Sequence, residues 1–189
     1  MLFNQLSKDN QNRAIADMRD SEDYADYDWY EADNYDFEAI LNIIGYYEIV
    51  TYFTGFWSQG DGASFEARYN YEKGSVQKLK EYAPQDQELH RIAQELKNIQ
   101  AKACYDLEAK ITTSGNYCHE MTMHCECSSR RGNIKDDTAQ GYEDEVLELS
   151  RDLAIWYYKK LNDTYDYLMS DEAVAEHIIA NELEFDYEN

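Results

Sequence analysis

The stretch from Tyr46 to Tyr71 constrains this chain most. Tyr46-Tyr47-Glu48-Ile49-Val50-Thr51-Tyr52-Phe53-Thr54 is dense in β-branched and aromatic residues, the composition of a strand. Further on, Phe65, Ala67, Tyr69 and Tyr71 alternate with Glu66, Arg68 and Asn70. That is the period of two of a strand with one face on a core and one in water. Between the two runs, Gly60-Asp61-Gly62 supplies backbone freedom for a reversal. The pair reads as an antiparallel hairpin whose loop is longer than two residues. Within that loop Phe56 and Trp57 stand beside Ser58, Gln59 and Asp61. Two readings of it stay open. Phe56 and Trp57 fold back over one end of the core, or the loop is a recognition element in which Trp57 stacks on a partner and Gln59 and Asp61 orient it. A metal or catalytic role for Asp61 is the weakest reading, because no second acid or His can be placed beside it.

Helical periodicity frames the hairpin. Leu6, Ala14, Ile15 and Met18 suit a short helix that Ser7 caps, and one or two helices are expected over 17–38, broken somewhere in 20–34. Phe37, Ile40, Leu41 and Ile44 form an apolar stripe ended by Gly45. After a break at Gly74 and the only proline, Pro84, the residues Leu89, Ile92, Ala93, Leu96 and Ile99 predict an amphipathic helix over 86–102. A second hairpin follows, with alternation from Tyr105 to Ile111, a turn at Thr113-Ser114-Gly115-Asn116 and alternation again from Tyr117 to Cys127. Residues 128–140 read as an exposed polar loop with Arg130, Arg131 and Lys135. A stripe from Tyr142 to Leu168 predicts a helix of about seven turns. It suits a core and a dimer seam equally. Ser170 fits the N-cap of a final helix.

These elements predict an α+β fold of about four mostly antiparallel strands in two hairpins, with helices before, between and after them, packed chiefly on one face. The length suggests a single domain over 1–189. Within it lie an acidic helical segment at 1–45, a hairpin-helix-hairpin core at 46–127 and C-terminal helices at 141–185.

The formal net charge is -22 in 189 residues, yet 18 Tyr and 3 Trp are present. Disordered acidic chains lack such aromatics, so this one is expected to fold and to carry its charge outside. A surface of this sign repels phosphates, so direct nucleic-acid binding is excluded and basic surfaces are the expected partners. Carboxylates at i and i+4 of a helix lie about 6 Å apart, close to the phosphate spacing of a nucleic-acid strand. Asp20, Glu22, Asp23, Asp26, Asp28, Glu31, Asp33 and Asp36, with tyrosines interleaved, are therefore candidates for a partner-binding rail. A second acidic series runs from Glu143 to Asp152 and from Asp163 to Glu176. The alternative for such runs is a generic solvated surface.

No catalytic constellation emerges. Cys118, His119, His124, Cys125 and Cys127 invite a zinc reading, but strand alternation divides them between two faces and no second pair completes four ligands. No metal or cofactor is expected, and no thiol has a neighbour that would activate it. The N-terminus has no signal-peptide pattern, and no run approaches the ~18 apolar residues of a membrane span. The expected setting is a host cytoplasm with reduced thiols.

One segment carries a resemblance. Gly55-Phe56-Trp57-Ser58-Gln59-Gly60-Asp61-Gly62-Ala63 with Phe65 is similar to the signature of a family of small acidic proteins encoded by bacteriophages and prophages, often labelled antitoxin-like. The similarity continues in Tyr82–Asp86, Gly115–Met121, Trp156–Leu161 and Asn181–Phe185. The resemblance implies a phage origin and an α+β fold, and it supplies no activity. Together with the charge it gives the expectation of a non-enzymatic inhibitor that occupies the basic groove of a host restriction enzyme, CRISPR effector, nuclease or polymerase as a DNA mimic. The alternative is an antitoxin-like or regulatory partner acting through Phe56, Trp57, Gln59 and Asp61. A two-fold homodimer would lengthen an acidic rail.

Overall fold

Alternation along 63–70 builds the centre of the sheet. A computed structural model of the chain describes residues 1–22, 24–25 and 28–187. Four strands, β1 (Tyr46–Phe53), β2 (Ala63–Asn70), β3 (Leu107–Thr113) and β4 (Met123–Ser129), form one antiparallel sheet in the order β1-β2-β3-β4. Ala67 stands opposite Ile111, and Ile111 opposite Cys125, so the apolar positions of β2, β3 and β4 share one face. Glu66, Arg68, Lys110 and Glu126 take the other face, where Glu66 accepts from the Thr113 N–H and hydroxyl and Arg68 pairs with Glu48. A bulge between Tyr47 and Val50, with Glu48 at φ 53°, changes the phase of β1. Tyr46 and Thr51, five residues apart, therefore face the same way.

Contacts divide the chain into two compact units, Asp33–Lys160 and the pair of segments Met1–Ala32 with Leu161–Asn189. The first unit holds the sheet. Its helices are most of α2 (Glu31–Ile44), α3 (Ser75–Tyr82), α4 (Gln87–Lys102), α5 (Asp136–Gln140) and most of α6 (Glu143–Leu168). Its core is aromatic. The fully buried Phe37 of α2 stacks on Tyr157 of α6 at 4.3 Å and 4°, and meets the Phe65 ring edge-on at 5.6 Å. Tyr46 lies between Phe65 and Tyr69, with its hydroxyl 2.9 Å from Ser150 Oγ. A buried phenol needs such a partner, or it forfeits its hydration without return. Asp86 fastens α4 to α6. One carboxyl oxygen caps α4 by accepting the Leu89 N–H at 3.0 Å, and the other accepts Trp156 Nε1–H at 2.7 Å.

The second unit is smaller. α1 (Lys8–Arg19) and α7 (Asp171–Ala180) start at Ser7 and Ser170, whose hydroxyls accept the N–H groups of Asn10 and Ala173. Their apolar faces meet over Phe3, Leu6, Ala14, Ile15, Val174 and Ile178. Residues near the two ends of the chain pair: Phe185 N–H donates to the Met1 carbonyl at 2.9 Å, and Leu2 bridges Glu184.

The expected α+β fold, with about four antiparallel strands and a long helix near the C-terminus, is observed. Three local expectations are corrected. Gly74 and Pro84 enclose a helix, α3, in which Leu79 is the one buried large side chain. The strand expected from Tyr117 begins at Met123. Residues 117–119 are a loop, followed by a 3-10 turn at Glu120–Thr122. The polar segment 128–140 is not an unstructured loop, since α5 occupies its end.

Candidate partner-binding surfaces

The loop between β1 and β2 is built around Asp61. Its Oδ2 accepts the N–H groups of Ser58 at 2.8 Å and Trp57 at 3.0 Å, and these bonds hold its carboxyl below the usual carboxylate range. Phe56 is half-buried between Phe53 at 5.1 Å and Tyr158 at 5.3 Å, so it covers the core end. Trp57 does not. It stands 73% exposed, edge-on to Phe56. Gln59 is also exposed.

The two glycines flanking Asp61 serve a purpose different from the one expected. Neither adopts a positive φ. Both are there because the 117–119 loop presses on them: a Cβ at Gly60 would come 2.0 Å from the Tyr117 ring, and one at Gly62 would come 2.6 Å from His119 Cβ. The Cys118 N–H donates to the Gly60 carbonyl at 3.4 Å. Tyr117 and Met121, each 61% exposed, thus belong to the segment packed on the Trp57 loop.

The acidic residues separate in an instructive way. The unit of Met1–Ala32 and Leu161–Asn189 contains 17 acidic side chains against 3 basic ones, a net charge of -14 in 61 residues. That leaves -8 for the 128 residues of Asp33–Lys160. Asp20, Glu22 and Asp28 are exposed between α1 and α2, and Glu31 is exposed at the start of α2. Asp33 and Asp36 lie in the sheet-bearing unit and are half-buried, with Asp36 accepting the Tyr82 hydroxyl at 2.6 Å. Asp23 and Asp26 lie outside the described residues. Among the described residues, Asp20, Glu22 and Asp28 lie in turns and bends rather than in a helix, so they do not share helical carboxylate spacing. It is present instead at Glu172 and Glu176 on α7, both exposed. Among the described residues, the acidic unit's ion pairs include Arg13–Asp17 and Arg19–Asp171. The Glu143–Asp152 part of the second acidic series is more compensated: Asp152 pairs with Arg91 at 2.5 Å, Glu148 pairs with Arg151 at 2.7 Å, and Glu143 accepts the Cys127 N–H, whereas its Asp163–Glu176 part falls in the acidic unit.

One organising residue gave no sequence signal. Asp106 is a fully buried carboxylate that accepts from Ser129 Oγ, from Arg131 N and Nε, and from Asn133 N. Led by the Ser129 bond, these donors lower its pKa to about 2. The acceptors and donors are 23 to 27 residues apart, so neither spacing nor composition could have paired them. Cys125 and Cys127 do share a face, with sulfurs 3.7 Å apart, and the bond between them and burial push the Cys125 thiol up. Burial also pushes up Cys118, against the needs of a nucleophile. Among the described residues no three His, Cys, Asp or Glu side chains converge as metal ligands. Among them, too, no helix is long and apolar enough to cross a membrane.

Several of the segments singled out in the sequence meet in space. Gly60 touches Tyr117, Phe56 touches Tyr158, and Asp86 bonds Trp156. A four-stranded antiparallel sheet in sequential strand order, accompanied by seven helices among the described residues, defines the class: an α+β protein. The chain belongs to the family of a domain of unknown function, DUF8835, whose model matches residues 29–171. The match includes all of the sheet-bearing unit. No curated protein and no solved structure matches the chain.

Proposed function

We propose that this protein is a phage-encoded, non-enzymatic inhibitor whose acidic unit occupies a basic nucleic-acid-binding groove on a host defence or nucleic-acid enzyme. The observation that carries this reading is the density of uncompensated charge: a net -14 in 61 residues, with Asp20, Glu22, Asp28, Glu31, Glu172 and Glu176 all exposed. Such a field steers a basic surface from beyond contact distance and weakens as salt shortens the Debye length from about 10 Å at 0.1 M to about 3 Å at 1 M. The test is capture from a nuclease-treated host lysate, eluted by a salt gradient. One nucleic-acid enzyme, displaced by duplex DNA and lost when Asp20, Glu22, Asp28 and Glu31 are changed to Lys, is the expected result. A smear of basic proteins at low salt, unchanged by the reversal, would sink the proposal.

A second reading rests on a separate observation, the 73% exposure of Trp57 on a loop that Asp61 fixes. Here the protein is an antitoxin-like or regulatory partner, and the indole is the anchor. Capture of one protein, insensitive to DNA and lost in Trp57→Ala, would favour it over mimicry.

A further inference from the structure

We infer that the acidic unit contains a receptor for an arginine side chain of its basic partner. A groove of about 460 Å³ opens within this unit, lined by Tyr24, Trp29, Tyr167, Glu176 and His177 together with the small Ala173 and Ala180. The volume is within the range of small-ligand sites, and the small alanines leave room for a long side chain.

The rings are held in place. Tyr24 donates its hydroxyl to the Leu168 carbonyl at 2.6 Å and sets its ring 5.0 Å from His177 at 83°. Trp29 tilts against Tyr165 at 5.4 Å, and Tyr167 donates to Glu176 Oε2 at 3.4 Å. A ligand therefore need not order these side chains, which lowers the cost of binding.

Charge selects the occupant. At a net -14 the unit repels carboxylates and phosphates and concentrates cations. Aromatic faces attract a cation through their quadrupole, and the Glu176 carboxylate at the groove supplies a counter-charge. Between the two cationic side chains, the planar guanidinium stacks on rings and presents a donor fork to a carboxylate. The ammonium is a compact, strongly hydrated charge that does neither as well. Arginine is also the side chain that grooves built for phosphates present, so this inference rests on the reading of the acidic unit given above.

The test uses the full chain with ¹⁵N-labelled indoles, whose three signals belong to Trp29, Trp57 and Trp156. The probe is acetyl-Gly-Arg-Gly-amide, compared with its lysine and citrulline counterparts. The arginine peptide is expected to shift the Trp29 signal saturably and leave Trp57 and Trp156 in place, with lysine weaker and neutral citrulline silent. Glu176→Gln should weaken binding about fivefold, which is about 1 kcal/mol, without changing the melting curve. Tyr167→Ala, at a half-exposed ring, should do the same. Shifts of all three indoles without saturation, or unchanged binding in both variants, would overturn the inference. A silent Trp29 in a protein that still captures a DNA-displaceable enzyme removes the groove and leaves mimicry standing. Saturable binding without such capture keeps the groove and removes mimicry.

Discussion

The sheet-bearing unit and the acidic unit keep their structure by different means. The first buries Phe37, Tyr46, Phe65, Tyr69 and Tyr157 in one ring cluster and carries -8 over 128 residues. The second closes a smaller cluster that includes Phe3, Leu6, Ala14, Ile15, Val174 and Ile178, and carries -14 over 61. Burial offsets chain entropy in both, but only the second also works against strong self-repulsion. A chain that spends stability on charge in one compact region, while an aromatic core supports another, has separated display from scaffolding.

The sharpest test of that separation is Phe37→Ala. Losing a fully buried ring stacked at 4.3 Å should cost about 3–5 kcal/mol, read by urea unfolding. Amide exchange should show the loss in β1–β4. Equal loss of protection in α1 and α7 would break the comparison, because the two units would then share one stability.

Asp106 gives the next largest effect, expressed in pH. Its folded pKa is lowered to about 2, so the stability it contributes is complete above the ordinary carboxylate pKa and is lost as pH falls toward 2. Asp106→Asn should destabilise the sheet-bearing unit at pH 7, and its difference from the wild type should fade between about pH 4 and pH 2. A difference constant across that range would mean that the carboxylate's charge is irrelevant to the 129–133 segment.

Trp156→Phe keeps an aromatic side chain and removes the N–H bond to the Asp86 carboxylate. A loss of about 1.5–3 kcal/mol is expected in urea, with α4 exchanging faster at its first turn. The smallest effect belongs to an exposed pair: Lys78→Ala, which frees Glu72, should cost about 0.2–1 kcal/mol. Added salt sharpens the comparison from the other side. Protection of α1 and α7 should rise with ionic strength, while that of β1–β4 should barely change. Equal responses would show that the charge asymmetry has no energetic consequence.

Much of the scaffold was legible in the residues. Ser7 and Ser170 cap the helices they precede, and the alternation of Phe65, Ala67 and Tyr69 runs through β2. The apolar stripe of α4 holds for its full length, and that of α6 is buried from Val146 to Leu161. Signals failed where they were short or accidental. Helix α3 has eight residues and one buried leucine, too little for a period. The alternation from Tyr117 to Met121 belongs to no strand, because that segment is committed to packing on Gly60 and Gly62. The β1 bulge reverses a phase that strict alternation carries on.

By itself, then, the sequence determined the elements whose causes are local: periodic burial, helix caps, and the sign and size of the charge. Tertiary structure alone decided three further things. It joined the acids near both ends of the chain in one unit and left Asp33 and Asp36 out of it. It turned Asp106 into the anchor of a segment more than twenty residues away. It packed Phe56 half-buried against Phe53 and Tyr158 and exposed its neighbour Trp57. Each of these depends on contacts between residues distant in the chain, and no spacing along the sequence encodes which distant groups a fold will bring within a few ångströms.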